Sequence, residues 1–152
     1  MRIAWMKISD ARHQLSLSRP DGTTDVIELE SRSLLLHDFV HFALESELDT
    51  DHGVFGRLSR GLDLKALSDP SLTPLEGELL VIEQLVGPLQ AVFQGKLDAR
   101  SYLDIAEGQH PGVMDAEKLE RILSHVRALW GAWRKTPYRQ SMTRDWPPHQ
   151  RR

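Results

Sequence analysis

Two histidines and an acid recur at every fourth residue in the run Leu34-Leu-Leu-His-Asp-Phe-Val-His-Phe-Ala-Leu-Glu45. On an α-helix, at 100° per residue, His37, His41 and Glu45 fall within about 80° of one another, and Asp38 borders the stripe. Two imidazoles placed this way can share one divalent metal, and a carboxylate one turn further adds an oxygen ligand. The spacing therefore points to a divalent ion such as zinc on His37, His41 and Glu45. Asp38 or His52, or an acid at Asp49 or Asp51, would complete the sphere. The same stripe also fits a plain solvent-facing or structural role, with Asp38, His41 and Glu45 forming helix-surface pairs that contribute a few tenths of a kcal/mol. On sequence alone the plain role leads.

The string His37-Asp-Phe-Val-His41 resembles the His-Glu-x-x-His motif of zincin metalloproteases. That resemblance implies zinc on the two imidazoles and a water-polarising acid between them. It covers five residues and departs at Asp38, where the family has Glu. The shorter side chain puts the base role in question, and no other zincin feature follows.

The elements that must position these residues are legible in outline. Residues 2–8, 13–18 and 24–29 read as strands, with Leu15 and Leu17 alternating with polar neighbours. Pro20-Asp21-Gly22 between the second and third supplies the φ values of a hairpin turn. From Ser33 to about Leu48 the pattern becomes helical, with Ser31 or Ser33 as N-cap. Its apolar residues cover well over half the circumference, as in a helix buried on most sides. A short helix around Val54, Phe55 and Leu58 stops at Gly61. Thr73-Pro74-Leu75-Glu76 has the form of a capping box opening a helix to about Gln94, with a kink or break at Gly87-Pro88. Asp98 and Asp115 cap two further helices. In the last of these, Leu119, Ile122, Leu123, Val126, Leu129, Trp130 and Trp133 follow helical spacing. The fold class expected is α+β: an N-terminal three-stranded antiparallel meander packed on four to five helices over residues 1–135.

Composition narrows the function classes. The 152 residues contain no cysteine, which excludes disulfides, thiolate metal sites and cysteine nucleophiles. No apolar run approaches the roughly 20 residues needed to cross a bilayer, and the start lacks the apolar stretch of a signal peptide. A cytoplasmic protein without membrane partners is expected. Arg134, Lys135, Arg139, Arg144, Arg151 and Arg152 against Asp145 give the C-terminal segment +5, which leaves −8 for the rest of a chain of net charge −3. Residues 136–152, rich in Pro and Arg, read as an irregular basic arm. With Trp133, Tyr138 and Trp146 nearby, a nucleic-acid role is conceivable only through that arm, because a pI near 6.1 is far from that of a basic nucleic-acid domain.

No phosphate loop, nucleophile elbow or complete catalytic set is visible. The leading expectation is a small cytoplasmic binding or interaction module, non-catalytic and homodimeric through its apolar helices. The alternative is a metal-binding protein or metal-dependent hydrolase built on the His37-His41-Glu45 stripe.

Overall fold

Apolar side chains at alternate positions set the first three strands, β1 (Arg2–Lys7), β2 (Arg12–Ser18) and β3 (Thr24–Glu30). Their inward residues line up across the ladder: Trp5 opposes Leu15, and Leu15 opposes Ile27. At the β2–β3 hairpin Gly22 takes a φ of 88°, the positive value that its turn requires. The computed structural model describes residues 1–148. Among them the chain continues as α1 (Ser31–Glu47), α2 (Val54–Ser59), α3 (Leu64–Leu67), α4 (Gly77–Phe93), α5 (Ala99–Gln109), α6 (Ala116–Lys135) and β4 (Ser141–Asp145). The protein is α+β and mostly helical, a meander plus one added strand in the antiparallel order β3-β2-β1-β4. No helix among the described residues is long and apolar enough to cross a membrane.

The wide apolar arc of α1 has a direct structural cause, because α1 is the wall shared by two cores. Leu36, Val40, Ala43 and Leu44 pack with Ile82, Val86 and Leu89 of α4 and Ile122 and Val126 of α6. Leu35, Phe39 and Phe42 pack on the other side against Ile3, Trp5, Leu15 and Leu17 of the sheet. Trp5 meets Phe39 edge-on at 5.4 Å. Val126, Leu129 and Trp133 of α6 are buried within the single chain, and Trp130 beside them is half-buried.

Several local expectations are corrected. Residues 136–152 were expected to be irregular, yet Ser141–Asp145 forms β4 along β1. Reciprocal backbone bonds between Met1 and Trp146, at 2.7 and 2.9 Å, fasten its end. Trp146 and Met142 enter the sheet-side core, and so does Trp133, which removes two of the three aromatics a stacking arm would need. Tyr138 is exposed and donates to Asp10. Arg151 and Arg152 lie outside the described residues. The capping box at Thr73 is also not formed. Thr73 Oγ1 donates to Ala66 O at 2.7 Å, tying down the α3–α4 connection, and α4 starts at Gly77. Pro88 sits within α4 without dividing it. Glu30, rather than Ser31 or Ser33, caps α1 by accepting from the Arg32 and Ser33 amides. Asp98 and Asp115 cap α5 and α6 as expected.

His13 is the first inward residue of β2, followed by Leu15 and Leu17. It is fully buried, with Nδ1 2.9 Å from Ser31 Oγ and Nε2 lacking a partner. Burial lowers its pKa from 6.5 to about 4. As pH falls below 6.5 the unfolded chain takes a proton that the folded chain refuses until about pH 4, so stability is full above 6.5 and is lost on acidification through that window. From pH 7.5 to 5.5 the loss attributable to His13 should be about 1.4 kcal/mol in urea unfolding. His13→Gln should show a correspondingly flatter pH dependence. Parallel curves for the two proteins would count against this origin.

Candidate metal centre

The polar stripe of α1 is not turned to bulk water along its length. His41 is 2% exposed and Glu45 0% exposed. The stripe instead faces α4, whose otherwise apolar surface carries Glu83 and Gln90, two turns apart and hence on one side of that helix. The two helices therefore bring matched polar stripes together.

His41 is the hub. Its Nε2 lies 3.2 Å from Nε2 of His37 and 3.0 Å from Oε1 of Glu83. His37 Nε2 stands 4.0 Å from the other Glu83 oxygen. These three donors form a group able to hold one metal ion. A tetrahedral ion with bonds of about 2.0–2.1 Å places neighbouring ligand atoms about 3.3 Å apart. Two of the three separations lie near that edge length; the third is to the other carboxylate oxygen, so Glu83 would have to turn its carboxylate for one oxygen to face both rings, with one donor atom per residue lying within 4.8 Å of the others.

The opposite nitrogens of both rings are held from behind. His41 Nδ1 is 3.0 Å from Glu45 Oε2, and His37 Nδ1 is 3.4 Å from Gln90 Oε1. Each acceptor favours a proton on Nδ1 and leaves the Nε2 lone pair to face inward, the arrangement that orients metal-binding imidazoles. Glu45 is fixed further by accepting the Phe55 amide at 2.9 Å through Oε1. A Cβ on Gly53 would collide with the Glu45 carboxylate, so the α1–α2 connection needs glycine at that point to close over it.

No protein-family model, curated protein or solved structure matches this chain. What the site does must therefore come from its own chemistry.

Charge is distributed around His41. Burial alone would lower its pKa, but the hydrogen bonds and charges of Glu45 and Glu83 outweigh burial and carry it up to about 9. His37 is shifted down, by burial first and by the neighbouring imidazole second. Burial would raise Glu83, but the bond to His41 and the charges of both rings bring it below its ordinary value. Without metal, the cluster is therefore an imidazolium between two carboxylates with a neutral His37 beside it.

Asp38 adds an acid of a different kind. Its Oδ2 is closed to solvent without a regular hydrogen bond, as is Trp5 Nε1. Burial pushes its pKa up to about 7, against a smaller opposing pull from His41 and from the Trp5 indole. Asp38, His37, His41 and Glu83 all line one cavity of about 350 Å³, closed otherwise by Val54 of α2, the α3–α4 connection and Leu79 of α4.

The sequence-derived set is thus partly assembled. His37 and His41 are together, and Asp38 lines the same cavity. Glu45, expected as the third ligand, lies behind His41 on the Nδ1 side, and its place is taken by Glu83. His52 is exposed and outside the cluster, as are Asp49 and Asp51. Glu83 was missed because helical spacing relates residues along one helix only. The available signal was the pair of polar breaks, Glu83 and Gln90, seven residues apart in an apolar helix.

Proposed function

We propose that this chain binds one divalent metal ion, zinc by its donor set, through His37, His41 and Glu83, and uses it for hydrolysis. Three protein ligands beside an open cavity follow the pattern of catalytic zinc sites, which keep one position for water or substrate. The observation that carries the proposal is the pair of Nε2 atoms facing each other at 3.2 Å with both Nδ1 atoms backed by acceptors. With His41 an imidazolium, the proton on its Nε2 occupies that gap, and a metal ion would take the proton's place between the same donors.

Zinc would acidify its bound water and polarise the substrate carbonyl. Asp38, poised near neutrality in the same cavity, would take the water proton as oxygen adds to the carbonyl carbon and return it to the departing group as the acyl bond breaks. A non-catalytic interaction module remains the simpler alternative. The metal centre is preferred because its donors and their backing acceptors converge on one cavity.

Protein purified without a metal-affinity tag, loaded with zinc and dialysed should retain about one equivalent by elemental analysis. Glu83→Ala and His37→Ala should each weaken binding by roughly a hundredfold or more while keeping a native circular dichroism spectrum. Asp38→Asn should keep the zinc and lose most ester or amide hydrolysis. Wild-type zinc content in His37→Ala would remove the site.

A further inference from the structure

Beside the cavity that holds the candidate centre lies a second one, of about 140 Å³, between the sheet and the short helices α2 and α3. Its lining is apolar except for Asp38 and Ser68, and includes Leu15, Ile27 and Leu29 of the sheet with Leu58 of α2. Asp38, Val54, Leu67 and Ser68 line both cavities, so the two meet along a shared wall. Among the described residues, no lysine or arginine lines either of them.

We infer that the substrate of the proposed metal centre is an uncharged carboxylic-acid derivative, an amide or ester, carrying an apolar group of about phenyl size that fills this second cavity. The inference rests on the metal centre proposed above and deepens it by naming the substrate class. The sizes, linings and charges of the two cavities support it. A dry apolar cavity of about 150 Å³ is large enough to take benzene. Apolar space left open beside a reactive centre gains binding free energy in proportion to the apolar area that fills it. Without Arg or Lys among the described lining residues, a phosphoryl or sulfate group would find no guanidinium or ammonium partner in either cavity. A divalent ion neutralised by Glu83, with Glu45 behind His41, leaves little positive charge to hold a strongly anionic ligand. Leu34 and Leu75 border the two cavities and are 39% and 55% exposed, which gives the pair an apolar rim.

The experiment compares two zinc-binding probes that share a head and differ in the apolar group: acetohydroxamate and phenylacetohydroxamate, titrated into zinc-loaded full-length protein by calorimetry. The phenyl compound should bind at least tenfold more tightly. Val54→Phe narrows the shared wall from a half-buried position, and it should reduce the ratio of the two affinities to threefold or less while zinc content stays unchanged. Equal affinity of the two probes for wild-type protein overturns the inference and leaves the metal centre standing. So does an undiminished preference in Val54→Phe that retains its zinc. Failure of wild-type protein to hold zinc, measured first and separately, overturns the metal centre and this inference with it. Should Val54→Phe fail to fold, Leu34→Gln at the exposed rim serves the same purpose, with a smaller but definite reduction expected in the phenyl preference alone.

Discussion

Zinc affinity should rise by roughly thirtyfold from His41 alone, and by more with Asp38, between pH 6.5 and pH 8, measured by competition with a chromophoric chelator. The cause is one proton. His41, held at about 9 by its two carboxylates, must release the proton on Nε2 before that nitrogen can donate to a metal. His37 is shifted below its ordinary value by burial and by the neighbouring imidazole, so it contributes less to the slope than His41. For a single group titrating well above the window, each pH unit is worth close to a factor of ten. Asp38 loses its own proton near pH 7 and adds negative charge to the cavity in the same interval, steepening the curve. Asp38→Asn should bring the slope back toward one proton. A flat profile would take His41 Nε2 out of the coordination sphere, and with it the shared site.

Residues whose partners lie close along the chain were legible in the sequence. Asp98 and Asp115 announce α5 and α6 because a cap bonds amides only two or three residues away. Leu15 and Leu17 announce β2 through alternation, and Asp21-Gly22 announces the turn. The breadth of the apolar arc on α1 was visible too, and two separate cores explain it. Partnerships made by tertiary packing were not legible. Glu83 reaches His41 only because α1 and α4 pack side by side, which no periodicity within either helix encodes. β4 carries one buried apolar residue, Met142, and exists because the edge of β1 offers unpaired backbone groups. Thr73 carries every local mark of a helix cap, yet its hydroxyl bonds Ala66 O instead, so a tertiary bond overrode local chemistry. In the candidate site the sequence supplied the two imidazoles, while the third donor and the cavity came from the packing of helices.

The largest stability effect is expected at Glu45. Its two oxygens do different work: Oε1 accepts the Phe55 amide at 2.9 Å and Oε2 meets His41 Nδ1 at 3.0 Å, with the residue wholly buried. Glu45→Ala would leave a buried imidazolium with one of its two carboxylates, an amide without an acceptor and a cavity beneath Gly53. Removing one member of a buried charged pair costs about 3–5 kcal/mol, and urea unfolding should show a loss of that order. Glu45→Gln distinguishes packing from charge. The amide has the same shape, but its single oxygen can serve either Phe55 N–H or His41 Nδ1–H, while its NH2 faces the other donor. A smaller destabilisation of about 1–3 kcal/mol should result. Because Glu45 orients His41 without contacting the ion, zinc affinity in Glu45→Gln should fall 10- to 100-fold while about one equivalent still binds at saturation. Unchanged affinity in that variant would show that the carboxylate serves the fold alone and that Nε2 of His41 is aimed by packing. Complete loss of zinc at saturation would instead make Glu45 a direct ligand, in place of the Glu83 that now faces Nε2.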